Sequence, residues 1–377
     1  MEVTRSLGGI TDKIMKRTKL LILFTILFLN QSFCQGYDSD INLFLKSVAY
    51  IYEEKVKTEE INGSLYELWL YDKKNNSSIP YLNTFTGTGF FVISDLDIYL
   101  VTAEHVANTT SLNTIIVVSK ENDLPFQVNL KDIIYEKSLK WTINPIADVA
   151  VLHIDLSKIK DTLFINPMPV EMINDSMEAP LRIRDVTVYG YPLNLGIGKK
   201  LSPISKTLKP ASGIIELPRI DNNKTCDFFL LDDPSISGFS GGPVIELPQE
   251  IGLHDKKIFV KSYRLMGLVH GTFNDKTGGF AAIVPAKYIK ETVDSAPRYS
   301  GSYKFYYPDG KFWSERIYKN GIPWSVISNL NSLGINQEKG TLYEGNGTLI
   351  IYDEKGKMIE KREYLNGKLI KSESFEK

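Results

Sequence analysis

The stretch Gly238-Phe239-Ser240-Gly241-Gly242-Pro243-Val244 restricts this chain more than any other. Three glycines around one serine, just ahead of the apolar run Pro243, Val244, Ile245, predict a tight loop at a strand end, because glycine accepts backbone angles that a side chain forbids. Such a loop suits a nucleophile. If the N–H groups of Gly238 and Ser240 turn the same way, they form a pocket for an oxyanion, where losing one donor costs roughly 100- to 1000-fold in rate. The plain alternative is a Ser/Gly turn between strands.

A nucleophilic serine needs a base, and the base needs an orienting group. The chain holds four histidines, His105, His153, His254 and His270. His105 follows the short glycine segment Gly87-Thr88-Gly89-Phe90-Phe91-Val92-Ile93 and ends the apolar run Tyr99-Leu100-Val101-Thr102-Ala103, which places it at a strand end facing a cleft. The candidate acid is Asp148 in Ala147-Asp148-Val149-Ala150-Val151-Leu152, at the mouth of a strand apolar enough to be buried. A buried carboxylate needs a donor, and a histidine N–H is a natural one.

These three segments, in the order His, Asp, Ser and separated by 43 and 92 residues, resemble the trypsin-like (chymotrypsin-fold) serine peptidases. The similarity is greatest to the disulfide-free bacterial branch of glutamyl-endopeptidase and HtrA-like enzymes. It extends over roughly residues 48 to 292 and includes Val188-Tyr189-Gly190-Tyr191-Pro192, Met266-Gly267-Leu268-Val269-His270-Gly271 and Gly279-Phe280-Ala281-Ala282-Ile283-Val284-Pro285. The resemblance implies a catalytic triad of His105, Asp148 and Ser240, with Gly238 and Ser240 as the oxyanion hole. By family spacing Pro234 falls at the base of the substrate pocket, so a preference for Arg or Lys is not expected. His270 lies on the strand that flanks the substrate cleft, near where glutamyl endopeptidases place a histidine against an acidic side chain. The match is offset by one position, and a one-residue shift on a strand reverses the face. His270 is therefore a candidate substrate-binding residue, against a structural or solvent-facing histidine.

Two positions depart from the family. Phe239 stands where an acidic residue or Asn usually precedes the nucleophile, so an activating ion pair from a newly cut N-terminus is ruled out and no such cleavage is expected to be needed. Glu104 stands where a small residue is usual, and is expected to point to solvent.

The net charge of -1 and a pI near 6.5 give no basic field for nucleic acid. Lys16, Arg17 and Lys19 precede the ten-residue apolar core Leu20 to Leu29, and Ser32 and Cys34 offer cleavage before Gln35. This is the pattern of a secretory signal, too short to span a bilayer of about 30 Å. Met15 reads as the true start. The expectation is export to the periplasm or beyond; lipid anchoring at Cys34 is disfavoured by Phe33 before it. Cleavage would leave Cys226 alone, so packing rather than a disulfide holds the mature fold. No Cys/His cluster has metal-ligand spacing, and neither metal nor cofactor is implied.

Short strands with polar turns predict an all-β chain, and the resemblance implies a double six-stranded β-barrel of chymotrypsin type over residues 38–297, after a leader over 1–34. Leu65 to Tyr71 reads as a strand, Lys73 to Ser78 as a polar loop, and the second barrel begins near Leu181. The remainder, 298–377, is rich in Tyr, Gly, Lys and Asn and repeats with a period of 46 residues: Gly301, Tyr306, Gly310, Lys311, Arg316, Tyr318, Asn320 and Gly321 recur as Gly347, Tyr352, Gly356, Lys357, Arg362, Tyr364, Asn366 and Gly367. A degenerate copy around Gly334 and Gly340 would make the unit about 23 residues. Asn320-Gly321 and Asn366-Gly367 predict hairpins. The module resembles MORN repeats, which imply either a surface for a protein partner or an accessory sheet. The expected activity is that of an exported serine endopeptidase acting on protein or peptide; the rival is a protease fold that has lost turnover and serves as a binding or scaffold protein.

Overall fold

The computed structural model describes residues 44–61, 64–159, 163–253, 256–260, 263–274, 278–307, 309–353 and 355–375. The leader-like segment, Met15, Cys34 and His254 lie outside them. Among the described residues no helix is long and apolar enough to cross a membrane.

The chain is all-β and folds into two closed antiparallel barrels followed by stacked hairpins. The first barrel is built on β1 (Val48–Val56), β2 (Leu82–Ser94), β3 (Asp97–Thr102), β4 (Ile115–Ser119), β5 (Pro125–Asn129) and β6 (Ala150–Ile154), in the order β6-β3-β2-β1-β4-β5. Two-residue strands at Thr142–Ile143 and Met168–Pro169 raise its count to eight. The sheet closes where Ile134, just past β5, bridges Ile154 on β6. Val92, Tyr99, Leu100 and Val151 are completely buried. Both faces of β3, β6 and the second half of β2 are covered, so the in-out alternation of a half-solvated sheet is missing there.

The second barrel comprises β7 (Val186–Gly190), β8 (Ile204–Leu208), β9 (Ile215–Pro218), β10 (Thr225–Leu231), β11 (Pro243–Glu246), β12 (Arg264–Asn274) and β13 (Gly279–Pro285), ordered β8-β7-β11-β12-β13-β10-β9. It closes through a bridge from Pro210 to Leu231. Its seven strands, one more than expected, arise because the Arg219–Lys224 turn folds β9 back onto β10. Cys226, on β10, is 2% exposed. The helix α1 (Ala286–Ser295) packs back on the first barrel, where the Asn144 side-chain amide donates to Thr292 Oγ1 at 3.0 Å.

Leu65 to Tyr71 is not one strand. It breaks at Leu68, whose N–H donates to Lys57 O and whose carbonyl accepts from Tyr81 N–H. Ser64–Glu67 and Trp69–Asp72 consequently belong to separate exposed hairpins, and the expected polar loop supplies Ser77–Pro80 as a strand.

Past α1, Tyr299 N–H donates to Asp97 Oδ1 at 2.8 Å and Tyr99 Oη–H to Pro297 O at 3.0 Å, docking the tail on the first barrel. His153 supports the dock from below: its Nε2 lies 2.9 Å from Asp97 and its ring stacks on Tyr135. The tail forms β14 (Gly301–Tyr306), β15 (Phe312–Lys319), β16 (Ile322–Asn329), then β17 (Gly347–Tyr352), β18 (Met358–Leu365) and β19 (Lys368–Ser374). Both Asn-Gly pairs form tight turns with two positive φ angles, as expected: Asn320 50° and Gly321 76°, Asn366 50° and Gly367 75°. The middle copy is present too, degenerate in strand but not in turn. Glu344 and Gly345 have φ 48° and 80° inside a Tyr343–Asn346 bridge, and Gly310, Gly334 and Gly356 close the opposite turns with φ near 80°. The turns stack by main-chain bonds, Gly345 N–H to Trp324 O and Gly367 N–H to Gly345 O.

Candidate active site

Strand pairing brings the first two site residues together. β3 and β6 run antiparallel with Thr102 opposite Ala150, so the segment leaving β3 and the one arriving at β6 share an edge. His105 sits in the single helical turn Glu104–Ala107 beyond β3, and Asp148 two residues before β6. His105 Nδ1 lies 2.7 Å from Asp148 Oδ2, and the His105 backbone N–H donates to Oδ1 at 3.0 Å. Asp148 is completely buried.

Ser240 approaches from the second barrel, on the loop between β10 and β11. Its peptide planes are held one by one. Ser237 O accepts from Leu193 N–H, Gly238 O from Thr88 Oγ1–H at 2.6 Å, Phe239 O from Gly242 N–H, and Ser240 O from Thr88 N–H. Phe239 N–H donates to Ile236 O and Gly241 N–H to Val269 O. From Gly238 to Gly242, the N–H groups left over are those of Gly238 and Ser240, which have no hydrogen-bond partner among the described residues. Because N–H and C=O point opposite ways across a trans peptide, the bonds at Ser237 O and Phe239 O fix where these two donors aim. Gly241, with φ +81°, passes so close to the first barrel that a Cβ would lie 2.1 Å from Thr102 Oγ1 and 2.2 Å from Thr88 O. Phe239 is 1% exposed in the second barrel's core, so ring packing anchors this loop.

Thr88, a residue of β2 between two glycines, is thus one point where the barrels grip each other. Besides its two bonds to the serine loop, its Oγ1 accepts from Tyr191 N–H at 3.1 Å and its carbonyl from Thr102 Oγ1–H at 2.7 Å.

The Ser240 hydroxyl donates to the main-chain oxygen of His270 at 3.2 Å. Its partner in this resting arrangement is therefore not the His105 ring. His270 itself is 3% exposed and faces inward, its Nδ1 2.5 Å from Asp148 Oδ2 and its Nε2 accepting from Ile220 N–H at 3.1 Å. Both ring nitrogens are thus engaged inside the protein, which leaves neither for a substrate side chain. Pro234 is half-buried ahead of the serine loop, its carbonyl accepting from Lys206 Nζ at 2.8 Å, while Lys206 also pairs with exposed Asp233 at 2.6 Å.

Arg219 is the residue the sequence did not reveal. Only 1% exposed, it leaves the end of β9 to donate to Asp148 Oδ1 at 2.9 Å, to Glu104 Oε2 at 2.6 Å and to both oxygens of Asp221. Glu104 is accordingly drawn inward to a cation across the barrel interface, contrary to the expectation that it faces solvent. No local pattern betrays Arg219, since Asp148 lies 71 residues away in the chain.

Burial works against ionisation of Asp148, but hydrogen bonds from His105 and His270 and the charges of these rings outweigh it and hold the carboxyl well below the usual range. Burial likewise opposes protonation of His105; the Asp148 hydrogen bond and charge, with Asp221, overcome it and raise the imidazole above its ordinary value, while Arg219 pulls the other way. The ligand atoms of His105, Asp148 and His270 lie within 4.8 Å of one another, as a metal site would require. The N···O separations are nevertheless those of hydrogen bonds, and Arg219 already supplies the compensating positive charge.

No family model matches the chain and no curated protein matches it. Among solved structures it is similar to the Rv3671c protease in an inactive form, at 18% identity over 67% of this chain and 90% of that one, with a TM-score of 0.38. It is similar to the HtrA-type protease AlgW with a decapeptide, at 15% identity over 89% and 96%, with a TM-score of 0.40. It also resembles the MamO protease domain from Magnetospirillum magneticum, at 12% identity over 67% and 97%, with a TM-score of 0.38. At scores this low, the functional reading rests on the chain's own geometry.

Proposed function

We propose that the protein is a serine endopeptidase. Ser240 attacks the peptide carbonyl, and His105 takes its proton and returns it to the leaving amine. Asp148 holds the imidazole tautomer and stabilises its cation. The Gly238 and Ser240 N–H groups receive the oxyanion. What supports this most is the coincidence, across one barrel interface, of an imidazole held by a buried carboxylate and a serine loop whose two spare N–H groups are the ones an acyl transfer needs. The test is labelling with a fluorophosphonate probe. Wild type should label without any proteolytic cut, and Ser240→Ala and His105→Ala should not.

The rival reading, a protease fold retained for binding, is favoured by one observation: the Ser240 hydroxyl is bonded to His270 O rather than to His105. Absence of labelling in wild type would favour it. The substrate class of the active form is protein or peptide, with export following from the leader-like segment and the MORN-like hairpins offering a surface for a protein partner. Cleavage of a denatured proteome digest would report the preferred residue at the scissile bond.

A further inference from the structure

We infer that His270 is a positioning residue of the triad, fixing the Asp148 carboxylate from the side opposite His105; this rests on the peptidase reading above.

Hydrogen bonds fix the tautomer of His270. Ile220 N–H donates to His270 Nε2, so that nitrogen carries no proton, and the remaining proton sits on Nδ1, aimed at Asp148 Oδ2. His270 is therefore a committed donor. A carboxylate offers about four acceptor sites, and here four donors meet it: the Nδ1–H groups of His105 and His270 at Oδ2, the His105 backbone N–H and Arg219 at Oδ1. Taking His270 away would leave an empty acceptor site at a completely buried oxygen, with the His105 ring as its remaining donor.

The backbone aims the ring. Val269 opposes Ile283 and Gly271 opposes Ala282, so His270 is the extra residue of a bulge in β12. Bulges re-aim a side chain, which is how a histidine one position off the family register comes to point at the acid rather than the cleft. Phe228 on β10 lies against the ring at 5.1 Å, Ile220 holds its far nitrogen, and the edge of the His105 ring stands 5.6 Å away. The charged and titratable groups facing it are Asp148, Asp221 at 4.0 Å from Nε2, His105, and Arg219 through both carboxylates.

The experiment compares wild type, His270→Phe and His270→Asn by the rate of fluorophosphonate labelling as a function of pH, with ¹⁵N-histidine NMR on the wild type. Losing a hydrogen bond to a charged group is expected to slow labelling of His270→Phe roughly 10- to 100-fold. Its acid limb should move to higher pH, since the charge of Asp148 then acts more fully on His105. His270→Asn, whose amide can donate from nearly the same place, should regain most of the rate. The NMR spectrum should show His270 with its proton on Nδ1. A folded His270→Phe that labels as wild type does, with an unmoved limb, overturns the inference. So does a folded His270→Asn no better than His270→Phe, or a proton on Nε2. Wild type that never labels overturns the peptidase reading instead, a result distinct from these.

Discussion

Replacing Arg219 by Met should both loosen the fold and shift the base. The guanidinium is buried between the barrels, bonded to Asp148 and Glu104 of the first and to Asp221 beside it. Removing the cation leaves Asp148, with no exposure, and Glu104, 16% exposed, as neighbouring charges without it. Breaking a buried pair from one side costs about 3–5 kcal/mol. For a unit of this size each kcal/mol lowers Tm by about 2–4 °C, so the Arg219→Met melt should fall by roughly 6–20 °C. Adding Glu104→Gln removes one of the stranded charges and should restore part of the loss, with a coupling of about 0.5–3 kcal/mol in the double-mutant cycle. Arg219 also opposes protonation of His105, so the acid limb of labelling should move up in pH. Urea unfolding and labelling-rate profiles read the two effects. An Arg219→Met protein that loses less than about 1 kcal/mol, with its acid limb unmoved, would refute a buried, electrostatically committed guanidinium.

Because the His105 pKa is raised and the base must be neutral to work, the acid limb of kcat/KM should have its midpoint above the ordinary histidine value of about 6.5; a midpoint below it contradicts the Asp148 pairing. In stability the signs are opposite: the lowered Asp148 contributes above about pH 4, lost as pH falls through its folded pKa, and the raised His105 contributes below about pH 6.5, lost as pH rises through its own. Denaturant melts across pH should therefore show stability falling on both sides, less so on the acid side in Asp148→Asn. Thr88→Val leaves Gly238 O and Tyr191 N–H without their hydroxyl partner and should lower kcat about 10- to 100-fold with KM little changed, whereas Thr88→Ser keeps the rate; equal losses in both would place the effect in packing. In the tail, Arg316 is buried against Phe305 and Trp313 with its Nη2 unbonded, while its repeat counterpart Arg362 pairs with Glu360 at 2.7 Å. With little but the Nε bond to Ser314 Oγ to lose, Arg316→Met should leave the melt unchanged or raise it, and a drop above about 2 kcal/mol would show that Nη2 finds a partner in solution.

The parts of the site legible in the sequence are those whose signal is local. His105 and Asp148 each stand beside an apolar strand, and those strands, β3 and β6, prove to be neighbours. The Asn-Gly turns are legible for the same reason, since two adjacent residues set the hairpin. Arg219 and the inward turn of Glu104 were not, because each acquires its meaning from a partner 71 or 115 residues distant. For His270 the sequence placed the strand correctly, yet a single extra residue opposite Ile283 and Ala282 decides which way the ring points. Periodicity alone cannot register such a bulge. The break at Leu68 is of the same kind: composition suits a strand throughout, and only bonds to Lys57 and Tyr81 divide it.

Cys226 gives the second barrel a chemical stopwatch. Burial pushes its thiol up to about 12, and it is 2% exposed two residues from Phe228, on which the His270 ring rests. Alkylating reagents at neutral pH can react with it only during excursions that spread β10 from its neighbours, so the speed of thiol capture would time how often the wall behind the acid comes apart.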